Sequence, residues 1–318
     1  MFLLNNFLLI GIGFVMLWLG AELLIKAALA ISKKLGWSET LVGLTIVSFC
    51  INLPEIMITF VGAFKQLQGD QVTQLVIGNV VGSNMSQIGL VLGLAGLFQV
   101  IKVDKKEVMR NGLMLIGSTL LLIAFSINGF ISRIEGLVLL LLYGFYLFTL
   151  NKTSSRKLVK KHSRKFSFKN NLRFFIQLAS GLIVIVLGSE LVVSRAVNIS
   201  QILQIDQMIV GLFIVGIGVS LPELFVAISA LIKGSPGLSV GSMLGGNIIV
   251  TLLGLGGTAI IAGWHIPRSI ATFDLAYLLL TSVVVVLFLL TKKKLERKES
   301  VLILLMYMIF VFLKALGL

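Results

Sequence analysis

Apolar stretches long enough to cross a lipid bilayer recur along the whole of this 318-residue chain. About 20 apolar residues suffice for one helical crossing. Such stretches fall at roughly 5–31, 39–64, 72–99, 108–128, 132–150, 173–198, 207–232, 238–262, 269–291 and 300–317. Ordinary globular chains are about 45–50% apolar; here 57% of residues are hydrophobic and the mean hydropathy is +1.05. The expected fold is an all-α membrane protein with ten transmembrane helices. The first stretch has no basic leading segment, since no charge precedes Glu22, and it runs too long for a signal peptide. It is expected to be retained as a span. The single cysteine, Cys50, lies inside the second stretch, so no intrachain disulfide is expected.

A net charge of +14 could suggest a nucleic-acid partner, but its placement argues otherwise. Lys33 and Lys34 follow the first stretch, and Lys102, Lys105, Lys106 and Arg110 the third. Nine Lys and Arg residues, with no acid, lie from Lys152 to Arg173 after the fifth. Lys233 follows the seventh stretch, and Lys292, Lys293, Lys294, Arg297 and Lys298 the ninth. Thus 21 of the 27 basic residues follow odd-numbered stretches, whereas only Lys65, Arg133, Arg195 and Arg268 follow even-numbered ones. Basic loops stay on the cytoplasmic side, which places both termini outside. The linker 151–172 reads as a topology determinant and solvated tether, or as a site for anionic lipid headgroups.

The chain repeats itself. Leu19-Gly20-Ala21-Glu22-Leu23 recurs as Leu187-Gly188-Ser189-Glu190-Leu191, Val42-Gly43-Leu44 as Val210-Gly211-Leu212, and Asn52-Leu53-Pro54-Glu55 as Ser220-Leu221-Pro222-Glu223, each shifted by 168 residues. Gly82-Ser83-Asn84 recurs as Gly245-Gly246-Asn247, shifted by 163, so five extra residues are expected in the 65–74 turn of the first half. Each half holds five spans, and an odd number inverts the second half. Inverted repeats are a transporter architecture, with the site near the midplane between the repeats. The expected units are a first five-helix repeat at 1–150, the basic cytoplasmic linker at 151–172, and a second five-helix repeat at 173–318.

Two of the four prolines, Pro54 and Pro222, fall in mid-span at matched positions. Proline removes a backbone donor and clashes with the preceding turn. In lipid such a break is tolerated where it is packed in protein or lines a cavity. An acid follows each: Glu55 and Glu223. A carboxylate at membrane depth is costly and marks a functional site. The third and eighth stretches are also interrupted, by Gly78 to Gln87 and Gly241 to Val250. Their glycines suit close helix packing, which explains Ser83, Asn84, Ser86 and Gln87 less well. Hard cations take carboxylate, amide, hydroxyl and carbonyl oxygens, and Glu55, Glu223, Asn52, Ser220, Ser83 and Gln87 could supply such a set. Glu22 and Glu190 read rather as packing anchors, Glu22 with Lys26. Asp274 and Arg268 read as interface groups near the outer end of the ninth span.

These motifs resemble the cation/calcium exchanger superfamily, and within it the prokaryotic sodium/calcium exchangers. Gly20-Ala21-Glu22-Leu23-Leu24, Val42-Gly43-Leu44-Thr45-Ile46-Val47 and Leu53-Pro54-Glu55 are similar to the start of that family's first repeat. Gly82-Ser83-Asn84 and Gly89-Leu90-Val91-Leu92-Gly93-Leu94 are similar to its end, and Gly188 to Gly257 to the second repeat. The resemblance implies ten helices, with spans 2, 3, 7 and 8 around a cation site and spans 1 and 6 sliding past that core. It puts the paired glutamates at Glu55 and Glu223 and the serine of the Gly-Ser-Asn block at Ser83. The sequence departs from the pattern at Ile51, Asn52 and Val219, in the Gly-Thr-Ser block before Leu-Pro-Glu. Ile51 and Val219 can still offer backbone carbonyls. Gly246 stands for a serine, and Gln87 and Val250 for Asn or Asp.

The expectation is a secondary antiporter exchanging calcium or a related cation for sodium or protons by alternating access. It needs no cofactor, the ions being cargo. The alternatives are a divergent exchanger moving another cation, or a cation channel. An intramembrane enzyme finds no nucleophile–base pair or HExxH motif here. Expected partners are inorganic cations and membrane lipids, not nucleic acid, and the expected location is a bacterial or archaeal plasma membrane.

Overall fold

The computed structural model describes residues 2–35, 48–154, 172–232 and 236–316. Residues 36–47, with Val42-Gly43-Leu44, and most of the linker 151–172 lie outside the described residues. Almost everything described is helix, because a chain this apolar has to satisfy its backbone polar groups internally. The helices are α1 (Phe2–Leu35), α2 (Ser48–Ile51), α3 (Leu53–Leu67), α4 (Thr73–Phe98), α5 (Lys105–Ser126), α6 (Arg133–Ser154) and α7 (Leu172–Leu203). They continue as α8 (Gln207–Val219), α9 (Leu221–Ile232), α10 (236–262), α11 (Ile270–Lys292) and α12 (Arg297–Ala315).

Among the described residues seven helices are, by length and composition, able to cross a membrane unaided: parts of α1, α4, α5, α6, α7, α10 and α11. The other apolar stretches differ for physical reasons. The second and seventh are broken at Asn52 and Ser220, giving α2–α3 and α8–α9. The tenth, α12, carries Arg297, Lys298, Glu299 and Lys314 at its ends.

Burial separates centre from periphery. In α4, 94% of the apolar segment is buried, and in α10 78%, against 28% for α1 and α6. The outward faces of α1 and α6 present Leu4, Leu8, Trp18, Leu141 and Phe148, a surface suited to lipid. The α4–α8 crossing is made by glycines: a Cβ on Gly216 would meet the Gly82 carbonyl carbon at 2.8 Å, and one on Gly78 the Met208 oxygen at 2.5 Å. Only backbones without side chains approach so closely.

Two short antiparallel clasps join distant segments. β1 (Ile101–Lys102) pairs with β4 (Lys294–Leu295), and β2 (Phe130–Ile131) with β3 (Trp264–His265). In the first half α3 runs on to Leu67, so the 65–74 stretch begins as helix; residues 233–235, its counterpart, lie outside the described residues. Asp274 is no interface group. It is 0% exposed and pairs with Lys314 of α12 at 3.0 Å, because a carboxylate packed between α11 and α12 needs a counter-charge. Arg268 is exposed.

Candidate functional site

The two broken helices turn in nearly the same way. Asn52 has φ −85° and ψ 2°, and Ser220 φ −84° and ψ −3°. Each precedes a Leu-Pro pair, whose proline cannot donate to the preceding turn. Helix resumes where the Ile56 N–H donates to the Asn52 carbonyl at 3.2 Å and the Leu224 N–H to the Ser220 carbonyl at 3.3 Å. Glu55 and Glu223 thus sit in the first turns of α3 and α9, where a helix N-terminus favours negative charge.

Both acids are buried, Glu55 at 0% and Glu223 at 6% exposure. Their carboxyl groups lie within hydrogen-bonding range of each other. Gln87 of α4 reaches the same place: its Nε2 donates to Asn52 Oδ1 at 2.9 Å and, at the limit of a hydrogen bond, to Glu55 Oε1 at 3.4 Å. Apart from the facing carboxyl group, Glu55 Oε2 and both Glu223 oxygens have no donor. Buried carboxylate oxygens left this way are costly unless a proton or cation meets them.

Hydroxyls flank the acids. Ser83 donates to the Val80 carbonyl at 3.2 Å and Ser220 to the Gly216 carbonyl at 2.7 Å. Each proton is used within its own helix, and each oxygen keeps acceptor capacity. The two helices touch here, since a Cβ on Gly216 would meet the Ser83 nitrogen at 2.8 Å. Ile51 and Val219, both buried, end the helical segments just before the breaks.

The structure joins Asn52, Glu55, Gln87 and Glu223 directly and leaves Glu22 and Glu190 out of that group. Glu22 pairs with Lys26 on α1, and Glu190 with Lys65 at 2.7 Å. Two features were missed by sequence reasoning. The Asn247 side chain donates to the Asn84 carbonyl at 3.0 Å, and Asn84 to the Thr251 hydroxyl at 2.9 Å, tying α4 to α10. The repeated asparagine of the Gly-x-Asn block was the available signal. Second, π-helical turns at Ser86–Val91 and Val250–Leu255 carry Gln87 and the fully buried Val250. Such turns are frequent at functional sites, and neither is visible in apolar patterning.

Among the described residues no three His, Cys, Asp or Glu side chains group to hold a metal ion. The chemistry on offer is therefore two carboxylates with amide, hydroxyl and backbone oxygens, a hard-cation set.

A helical membrane protein with paired acids at matched helix breaks defines a class of ion transporter, and comparison with known proteins names the family. The profile of the sodium/calcium exchanger protein family matches residues 5–151 and 173–316. The sodium/calcium exchanger MaX1 of Methanosarcina acetivorans is 28% identical over 96% of this chain and 97% of its own length. The solved sodium-calcium exchanger NCX_Mj, soaked with 10 mM Na+ and 10 mM Sr2+, is 27% identical, with TM-score 0.66 over 98% of this chain and 97% of that one. The crystal structure of the H+/Ca2+ exchanger CAX shares the fold, with TM-score 0.79 over 96% of this chain and 82% of that one, at 16% identity. The chain belongs to the sodium/calcium exchanger protein family. It is an integral membrane protein of a transporter family rather than an enzyme family.

Proposed function

We propose that this protein is a secondary active antiporter that exchanges calcium, or a related cation, for sodium or protons by alternating access. The observation that carries the proposal is the pair Glu55 and Glu223: buried, facing each other, with three carboxylate oxygens lacking a donor outside the pair. Two carboxylates balance one divalent ion. Asn52, Ser83, Ser220 and the backbone carbonyls of Ile51 and Val219 would complete its oxygen shell. When the divalent leaves, two like charges in a low-dielectric site repel, and another cation has to enter. That requirement is a physical basis for exchange rather than one-way flow. Gln87 holds Glu55 in place.

The same proposal takes the chain as ten spans in two inverted five-helix repeats, 1–150 and 173–318, joined by the cytoplasmic linker 151–172, with both termini outside a plasma membrane. The matched kinks at Asn52 and Ser220 support it. So do the clasps, each of which joins one half to the other: β1 to β4 and β2 to β3. The basic linker faces anionic headgroups of the inner leaflet in this arrangement.

Purified protein in liposomes tests the reading. Radioactive calcium should accumulate against its gradient only when sodium or protons are loaded on the opposite side. Downhill flux indifferent to the counter-ion would identify a channel instead, and flux of another cation alone a divergent exchanger.

A further inference from the structure

Three departures from the family pattern meet at one point. Asn52 at the α2–α3 break, Gln87 of α4 and Gly246 of α10 are packed into a single unit. A Cβ on Gly246 would lie 2.5 Å from Asn52 Oδ1 and 2.7 Å from Gln87 Oε1. The two long amides therefore fill the volume that a side chain at position 246 would occupy. Gln87 Nε2 donates to Asn52 Oδ1 and reaches Glu55 Oε1. With Glu55 ionised and Asn52 as placed, reversing the Gln87 amide would set its oxygen against two acceptors, which assigns the orientation. A nitrogen donor thus stands among acceptor oxygens, where a small cation would otherwise sit. Apart from the facing Glu55 carboxyl, Glu223 has no side-chain or backbone N–H donor, and Val219, four residues before it, and Val250, the repeat counterpart of Gln87, bring no side-chain oxygen.

We propose that the Gln87 carboxamide is a specificity-determining group: it permanently occupies one lobe of the central site as a hydrogen-bond donor to Glu55, so the protein carries one cation at a time, held between Glu55 Oε2 and Glu223. The proposal rests on the exchange reading above and deepens it. Gln87 is then a donor to a ligand rather than a ligand. Asn52 orients the amide, and Gly246 makes room for it. Removing the donor leaves the carboxylate more available to a cation, whereas removing a ligand leaves the cation less well held, so the two roles predict opposite signs.

The test is displacement of bound calcium by sodium at fixed pH in detergent-purified protein, followed by calorimetry, with monodisperse elution as the check on folding. In the unaltered protein sodium should displace calcium with a Hill coefficient of about 1, because the coefficient is bounded by the number of interacting sites. Gln87→Glu replaces the donor with a charge and should raise calcium affinity and move the coefficient toward about 2. Gln87→Met has similar reach and no donor, and should bind calcium as tightly as the parent or tighter. If Gln87→Glu does not fold, Gln87→Asn, which withdraws the amide from Glu55, should show the same sign as Gln87→Met. A loss of about tenfold or more in calcium affinity in Gln87→Met, the scale expected for disturbing a metal site, would make Gln87 a ligand and overturn the inference. So would a parent coefficient of about 2, and either result would leave the exchange reading intact. A parent that binds neither calcium nor sodium overturns the exchange reading and this inference with it.

Discussion

Glu55 and Glu223 occupy matched positions and have unequal surroundings. Glu55 accepts from Gln87, whereas Glu223 has no donor outside the pair on either oxygen. The difference traces to side chains that break the symmetry of the repeat: Asn52 against Ser220, and Gln87 against Val250. Val250 is fully buried at the head of its π-helical turn, where relatives are expected to carry an oxygen. Val250→Asp should therefore add a third carboxylate at the repeat counterpart of Gln87 and tighten divalent binding by about tenfold or more, the range over which charge count tunes calcium sites. Calorimetric titration with calcium checks this; unchanged affinity would mean that position 250 does not line the site. The acids themselves were legible in the sequence, because a carboxylate beside a mid-span proline stands out against an apolar background. The Asn52–Gln87–Gly246 unit was not. Read alone, Asn52 and Gln87 look like ligands and Gly246 like a lost one, and only the packing shows that the two amides fill the space at Gly246.

Among the elements, unbroken apolar length was legible because lipid imposes it, and the helix breaks were legible from proline. What the pattern could not show is which helices sit at the centre. Centrality depends on glycine contacts such as Gly82 with Gly216, made between segments far apart in sequence. The Asp274–Lys314 pair was hidden for the same reason. It joins α11 to α12 with both groups almost fully buried, and Lys314 also lies 5.4 Å from the centre of the Phe273 ring. Removing one member of a buried pair strands the other charge, at a cost of about 3–5 kcal/mol, while replacing both with apolar groups is often neutral. Asp274→Asn should lower the unfolding midpoint in detergent substantially, and Asp274→Leu combined with Lys314→Met should recover most of the loss. A single variant that melts like the parent would show that the pair contributes little.

For the whole molecule, charge placement and the repeat point to the same topology. With 21 of 27 basic residues after odd-numbered spans, the termini are expected outside and the linker 151–172 inside. Replacing Cys50, the only cysteine, and placing single cysteines in the linker and at each terminus makes this measurable. An impermeant thiol reagent added to intact cells should label the termini and spare the linker; a linker labelled from outside would overturn the inverted arrangement. The central claim is that Glu55 and Glu223 together hold the transported cation, and the most direct measurement is calcium binding and counter-ion-driven calcium flux in Glu55→Gln and Glu223→Gln. The amide keeps the shape of each side chain and removes its charge. Each variant should remain folded and inserted yet lose calcium binding and exchange, because a single remaining carboxylate no longer balances a desolvated divalent ion. If both variants bind and exchange calcium as the parent does, the two acids are structural and the account of the site is wrong.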